Sequence, residues 1–139
     1  MKAIRLALLA LSCVAIPAAA ASQECLRFEP AEVELRGALV EREFPGPPNY
    51  ESVEGGDRAE RAYILELTEP ICVRGDPESE LDTEGHAGIR EVQVWSPDAG
   101  LAARVDGRVR LRGRLSPAIT GHHRTPVVLR VTHIGAAEE

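Results

Sequence analysis

Two seven-residue stretches decide the fold: VELRGAL at 33–39 and VRLRGRL at 109–115. Each alternates apolar residues with polar or charged ones, and this period of two predicts a β-strand with one buried face. Each also carries a glycine on its apolar side, Gly37 in the first and Gly113 in the second. A glycine at such a position often marks a sharp bend or a bulge, where a small barrel turns its corner.

The same alternation predicts three more strands, at 63–68, 90–95 and 127–133, with one short helix at 99–105. The resulting order is strand, strand, strand, helix, strand, strand, which is the order of an oligonucleotide/oligosaccharide-binding (OB) fold. The predicted class is therefore all-β with one short helix, as a small five-stranded OB-like barrel. A small antiparallel β-sandwich is the alternative, because strand counts alone do not separate the two.

Three local expectations accompany these elements. Pro70 should end the second strand, because proline cannot donate to a sheet ladder. Ser96 should cap the short helix, because a serine at this position can accept a free amide of the first turn. His133 shares the parity of Leu129 and Val131, so we expect it on the buried face of the last strand.

The N-terminus reads as a targeting segment. Lys2 and Arg5 precede the apolar run Leu6 to Ile16, and small residues follow at 18–21. This pattern predicts a signal peptide at 1–21, followed by a single domain at 22–139 in the periplasm or outside the cell. No later segment is apolar enough to cross a membrane, so no membrane span is expected after removal of the signal.

Charge and cysteine content narrow the function classes. Without the signal, 14 Lys+Arg stand against 22 Asp+Glu, a net charge of −8. Nucleic-acid binding rests largely on neutralising phosphates, so a nucleic-acid partner is not expected. Cys25 and Cys72 are the two cysteines of the predicted domain, and in an exported protein they most simply form a disulfide.

The stretch FPGPPNYESVEGGD at 44–57 is too rich in proline and glycine for a helix or a central strand. It predicts a large, stiff loop between the first two strands, with candidate ligand-binding residues Asn49, Tyr50, Glu51 and Asp57. Proline would place these polar groups in advance at low entropic cost. The alternative is a loop that caps one barrel end, with Tyr50 buried.

A second unusual loop joins the last two strands and contains His122, His123 and Arg124, which complete the candidate ligand-binding residues. Imidazole can bind a metal, carry protons or donate to an anion. Adjacent side chains of an extended segment point to opposite faces, and no HxH or HExxH spacing occurs, so neither a metal nor another cofactor is predicted. Histidines that pin the two loops together by hydrogen bonds are the structural alternative.

Four arginines at 108, 110, 112 and 114 form a stripe on the outward face of the fourth predicted strand. Cross-strand pairs with acidic residues such as Glu34 are the expected explanation, and an anion-binding face is the alternative. For catalysis, Ser52, His122 and Asp57 could form a nucleophile set, but no GxSxG-type turn surrounds the serine. Enzyme activity is therefore the less favoured interpretation.

Three segments carry a family resemblance: 44–57, LELTEPICV at 65–73 and TGHHRTPVVLRV at 120–131. In this order, behind a signal peptide and an early cysteine, they resemble the bacterial family called domain of unknown function 4431, over residues 25 to about 131. The resemblance implies an exported bacterial domain and no particular activity.

Three functions fit these observations. The leading hypothesis is a periplasmic OB-like module, a monomer, that binds a small ligand or an envelope protein between the two loops. The first alternative is a metal-assisted or acid–base hydrolase of an envelope component. The second is a purely structural envelope protein, in which both loops are packing devices.

Overall fold

The computed structural model of the protein describes residues 23–136, so the predicted signal peptide lies outside the described residues. The chain forms strands β1 (Leu26–Arg27), β2 (Glu32–Pro45), β3 (Ala59–Arg74) and β4 (His86–Trp95). A 3-10 helix (Ala99–Arg104) then leads to β5 (Gly107–Pro117) and β6 (Val127–Ala136). All six strands belong to one sheet.

The sheet closes on itself. Strand β2 pairs with both β3 and β5, β3 pairs with β4, β4 pairs with β6 in parallel, and β6 pairs with β5. These pairings form a ring of five strands, and β1 adds to the outside edge of β3 as a short parallel strand. The prediction of a small all-β barrel is confirmed, because one ring-closed sheet replaces the two stacked sheets of a sandwich.

The apolar side chains that alternate along the strands point into the ring and fill its interior. The inward residues of VELRGAL and VRLRGRL are buried, and so are those of the other ring strands. They form one apolar core with Phe28 and with Leu101 of the 3-10 helix; its innermost members are Leu39, Leu65, Val92, Leu111, Leu115, Val127 and Leu129. The outward positions of β5 are exposed or half-buried, and all four arginines of the stripe lie there.

The two glycines occupy the points where backbones approach most closely. Gly37 lies opposite Leu67 of β3 and Val109 of β5, so the pairing with β3 begins at this residue while the pairing with β5 continues to Leu39. A Cβ atom at Gly37 would collide with the main-chain carbonyl of Glu66, and one at Gly113 with that of Arg130. The sequence-based prediction of bends at these glycines agrees with the contacts.

Three local predictions were wrong. Pro70 does not end the second strand, because β3 continues to Arg74 through an irregularity between Glu66 and Ile71. The short helix is a 3-10 helix whose N-cap is Asp98, and Ser96 Oγ instead accepts the Asp98 amide at 3.2 Å.

The third wrong prediction is the face of His133. Arg112 pairs with His133 while the next residue, Gly113, pairs with Val131, so Thr132 is left over as a bulge in β6. The extra residue reverses the parity beyond it, and His133 is exposed. One strand was also missed: β1 has only two residues, too few for a period to be visible.

The predicted disulfide between Cys25 and Cys72 is present. It ties the residue before β1 to the strand β3 with which β1 pairs. Closing a loop between residues 47 apart in sequence stabilises a domain by about 4 kcal/mol in the chain-entropy account. The bond therefore helps to hold the two-residue strand β1 against β3.

We predict that Gly37→Ala destabilises the protein by about 2–3 kcal/mol or more, because the new methyl group meets main-chain atoms that cannot turn away. Gly55→Ala is the matched control, since its Cβ would lie 3.4 Å from the Ser52 side chain, an ordinary contact. Urea unfolding of both variants measures the difference. Equal stabilities would contradict the close approach at Gly37.

Candidate functional site

The loop at 46–58 is organised around the carboxylate of Asp57, which is buried. Oδ1 accepts the main-chain amide of Asn49 at 2.8 Å and its side-chain amide at 3.2 Å. Oδ2 accepts the amides of Glu51 at 2.8 Å and Ser52 at 3.0 Å. The amides of Ser52, Asn49 and Glu51 lower the pKa of Asp57, because they stabilise its charged form. Asp57 and Asn49 therefore form the interior of the loop.

These hydrogen bonds hold Tyr50 in an unusual conformation. Tyr50 has a φ of 60°, in the left-handed region that residues with a Cβ rarely adopt. The amides on both sides of it, from Asn49 and Glu51, are bound by Asp57, and its own amide donates to Gly46 O at 2.9 Å. The loop thus fixes the direction of the Tyr50 ring toward the second loop.

The second loop, at 118–126, is stabilised by its own contacts and by Gln93 of β4. His123 Nδ1 accepts the Ile119 amide at 2.9 Å, and the His123 amide donates to Thr120 O at 3.1 Å. Gln93 receives the amide of Arg124 on its side-chain oxygen and donates from Nε2 to His122 O at 3.2 Å. His123 therefore serves its own loop, while Gln93 attaches the loop to the sheet.

Four side chains join the two loops, and we call Tyr50, Glu60, His122 and Arg124 the clasp. Glu60 Oε2 lies 2.9 Å from His122 Nδ1 and accepts a hydrogen bond from Arg124 at 2.7 Å. The other ring nitrogen, His122 Nε2, lies 3.3 Å from the Tyr50 hydroxyl. The two rings meet edge to face at 5.5 Å, and the Tyr50 ring packs against Gly121.

Arg124 is the buried centre of the clasp, with 8% of its side chain exposed. Its guanidinium donates to Pro45 O at 2.8 Å and to Glu60, and it lies 5.3 Å from the Phe44 ring and 5.7 Å from the Tyr50 ring. Hydrogen bonding to His122, followed by the charges of His122 and Arg124, lowers the pKa of Glu60. A nearly buried guanidinium needs such a partner, so this ion pair holds the loops in place.

The structure thus brings three of the seven candidate residues together: Tyr50, His122 and Arg124. Asn49 and Asp57 are bound within the first loop and His123 within the second, while the Glu51 side chain is exposed. Sequence reasoning missed Glu60 as the central acceptor. Its position at the start of β3 was visible, but its partners lie 62 and 64 residues away in sequence.

The nucleophile set considered from the sequence is not assembled. Ser52 Oγ accepts the Gly55 amide at 3.1 Å, Asp57 is surrounded by loop amides, and His122 contacts Glu60 and Tyr50. Across residues 23–136, no three His, Cys, Asp or Glu side chains are grouped as a metal site requires. In the same part of the chain, no helix is long and apolar enough to cross a membrane.

The arginine stripe is explained in part by cross-strand pairing. Glu34 of β2 lies opposite Arg112 of β5, and their side chains are 3.0 Å apart. Arg36 contacts the same carboxylate at 3.1 Å. These two arginines lower the pKa of Glu34, Arg112 having the larger effect. The expected Arg–Glu pair is confirmed at this position.

The fold and the clasped loops together define a small all-β, barrel-like protein that presents two ordered loops side by side. Residues 91–135 match the family model described as Domain of unknown function (DUF4431), and the chain resembles that family. Of the three segments that indicated the resemblance, 120–131 lies within the matched residues. A comparison with curated proteins finds no match.

We predict that Asp57→Asn loosens the first loop and lowers the melting temperature by several degrees, because the new NH₂ group faces amide donors. Glu54→Gln removes the same charge from an exposed position of the loop and is the control. Amide hydrogen exchange at Asn49, Glu51 and Ser52 should accelerate only in Asp57→Asn. Unchanged exchange there would contradict the proposed interior role.

The same variant has a defined pH dependence. Because folding lowers the pKa of Asp57, its contribution to stability is fully present above the ordinary aspartate pKa, about 3.9. It is lost as the pH falls through the lower pKa of the folded state. The stability difference between the natural protein and Asp57→Asn should therefore narrow below about pH 4.

Proposed function

We propose that the protein is an exported OB-like module that binds an envelope protein through the surface of its two clasped loops. The observation that carries this proposal is the clasp, which holds two connecting loops in one arrangement through a nearly buried Arg124–Glu60 pair. A surface ordered before binding loses little conformational entropy when a partner docks.

The order of strand pairing supports the OB assignment. The ring runs β2, β3, β4, β6, β5 and back to β2, with β4 and β6 parallel. Counted along the ring strands, this is a five-stranded barrel whose first strand pairs with the second and fourth. OB domains place ligands near the loops joining strands one to two and four to five, which correspond here to 46–58 and 118–126.

The strand face that OB domains use for nucleic acid is occupied in this protein by its own side chains. Arg42 of β2 pairs with Glu66 of β3 and, at 2.8 Å, with Glu91 of β4, which ties three strands together. Ile64 alternates with the core residue Leu65 and so faces outward, yet it is fully buried. Side chains of the protein itself therefore cover the centre of this strand face, while Trp95 is exposed at the end of β4. This coverage favours binding through the loops.

The loops also offer apolar contact area. Val53 in the first loop is 39% exposed and Ile119 in the second is 59% exposed. Each lies three residues from a clasp member, Val53 from Tyr50 and Ile119 from His122. Exposed apolar side chains on ordered loops are suited to protein–protein contact surfaces. We therefore favour a protein partner over a small ligand at this site.

Export is supported by two features. The N-terminal pattern at 1–21 is that of a signal peptide, and the Cys25–Cys72 disulfide fits an oxidising compartment. We accordingly place the protein in the periplasm or outside the cell, as a monomer before it binds its partner.

We predict that a photo-crosslinking amino acid at Val53 or at Ile119 captures the same partner protein in the cells that export the chain. The same group at Thr132, an exposed position of β6 outside both loops, is the control and should capture none. Glu60→Gln should reduce capture from Val53 by roughly tenfold, because it weakens the clasp and the loops lose their preorganisation.

Circular dichroism and thermal unfolding would verify that each variant is folded. Capture at Thr132 equal to that at the loops would contradict a loop-borne surface. No capture at either loop by a folded protein would favour the purely structural role, in which the clasp only closes the fold.

One observation favours a second candidate, an acid–base hydrolase. Glu60, His122 and the Tyr50 hydroxyl form a chain of carboxylate, imidazole and hydroxyl, with distances of 2.9 Å and 3.3 Å. In such a chain the imidazole can accept the hydroxyl proton while the carboxylate holds the opposite N–H. His122 is 58% exposed, so a substrate could reach it.

If this chain is catalytic, hydrolysis of p-nitrophenyl acetate should fall at least about a hundredfold in Tyr50→Phe, which removes the hydroxyl and keeps the ring on Gly121. His123→Ala, which changes the neighbouring imidazole outside the chain, is the control. Equal rates for the natural protein and Tyr50→Phe would exclude Tyr50 as a reacting group.

A further inference from the structure

A second candidate site lies away from the clasp, in a cavity of about 550 Å³ beside β1. Its walls come from Arg27 and the segment 28–31 on one side and from residues 74–77 and Asp82 on the other. None of these residues belongs to either clasped loop. The volume falls within the range of small-ligand pockets.

Two arginines lie side by side at this cavity. Arg27 of β1 and Arg74 of β3 are register partners in the parallel pairing, and both are exposed. Among residues 23–136 neither guanidinium has an ion-pair or hydrogen-bond partner. Two like charges on neighbouring strands repel each other, and an anion between them removes that repulsion.

The covalent structure enforces this juxtaposition. The Cys25–Cys72 disulfide joins the residues that precede the paired segments 26–27 and 73–74. The residue after Arg27, Phe28, is buried in the core. Arg27 is therefore held beside Arg74 from both sides, and the two positive charges cannot move apart by displacement of β1.

An unpaired acceptor belongs to the same cavity lining, on the side of Arg74. Asp82 Oδ1 is buried and has no hydrogen-bond partner among the described residues. The main chain of Asp82 is held in place, because its carbonyl accepts the Asp76 amide at 2.8 Å and its amide donates to Ser79 Oγ at 3.3 Å. A buried carboxylate oxygen without a donor is costly, so a donor from a bound molecule would stabilise it.

The other carboxylates of the cavity are already engaged. Glu29 Oε2 forms an ion pair with a guanidinium nitrogen of Arg130 at 3.6 Å, and Arg130 is not part of the cavity lining. Asp76 Oδ1 accepts the Glu78 amide at 2.9 Å. The charged side chains of the lining that have no partner in the described chain are therefore Arg27, Arg74 and Asp82, which offer two guanidinium donors and one carboxylate. Phe28, Pro30 and Pro77 supply apolar wall between them.

We propose that this cavity binds a small organic anion that also carries a hydroxyl or ammonium donor. The carboxylate or phosphate group of the ligand lies between Arg27 and Arg74, where two forked guanidinium groups can donate to its oxygens. Its donor group hydrogen-bonds to Asp82 Oδ1. This ligand site goes beyond the loop-borne interaction and does not depend on it.

The test is an NMR titration of the full chain with four defined compounds. Glycerol 3-phosphate and galacturonate each combine an anion with hydroxyl donors, and they distinguish a phosphate from a carboxylate ligand. Inorganic phosphate provides an anion without the carbon-bound hydroxyl, and glycerol the hydroxyl without the anion. We expect one of the first two to shift resonances of the cavity residues and to bind at least about tenfold more tightly than phosphate or glycerol.

Variants test the anion contact with the two arginines separately from the donor contact with Asp82. Arg27→Gln and Arg74→Gln should each weaken binding at least about tenfold, whereas Arg114→Gln, which removes an exposed arginine of β5 outside the cavity, should leave it unchanged. Asp82→Ala, which removes the acceptor oxygen, should abolish the preference for the hydroxylated ligand over phosphate. The two arginine variants lie at exposed positions, so they test the anion half even if Asp82→Ala is poorly folded.

The proposal is overturned if neither glycerol 3-phosphate nor galacturonate shifts the cavity resonances. It is also overturned if Arg114→Gln weakens binding as much as Arg27→Gln does. Failure of the loop crosslinks would leave this result untouched, because the two sites share no residue.

Discussion

The structure depends on two places where a Cβ atom cannot be accommodated. At Gly37 and Gly113 the carbonyl of a neighbouring strand lies where a side chain would begin. Gly37 lies where the pairing of β2 with β3 begins while its pairing with β5 continues, and Gly113 lies opposite the bulged part of β6. A Cβ atom at either glycine would push the paired strands apart, and separated strand edges expose unpaired main-chain groups.

Closure of the ring also determines which loops can meet. The strands that flank the two loops, β2 and β3 for the first and β5 and β6 for the second, belong to one continuous ring of pairings. Glu60 at the start of β3 can then reach Arg124 and His122 across the ring. The polar contacts of the loops are therefore a consequence of the closed sheet, while Asp57 gives the first loop its internal order.

The sequence predicted what has a short period and missed what depends on distant partners. Alternation placed the five long strands, and proline and glycine content placed the loop at 44–57 close to its observed bounds. The bulge at Thr132 inserts one residue without any local signal, so the face of His133 was wrong. Pro70 was misread for a related reason: β3 passes it at an irregularity, where no ladder hydrogen bond from that residue is required.

In the candidate site, too, local sequence predicted the loops but not the contacts between distant residues. The adjacent histidines marked the second loop, but they could not reveal that His122 faces Glu60 while His123 caps its own turn, because that choice is made by the tertiary fold. Arg124 was predicted as a ligand-binding residue, and in the structure it is the nearly buried centre of the clasp. Its charge is compensated by a residue 64 positions away, which no local pattern encodes.

The two sites differ in how their polar groups are satisfied, and this difference bears on their roles. In the clasp, Glu60 and the Arg124 guanidinium have partners within the chain, so the proposed partner protein would add mainly contact area and no missing charge. Beside β1, two guanidinium groups and one buried carboxylate oxygen lack partners in the described chain. The desolvation and repulsion that remain there favour a ligand that supplies the missing charge and the missing donor. Because the disulfide keeps Arg27 and Arg74 together, the protein cannot relieve that cost by rearranging β1.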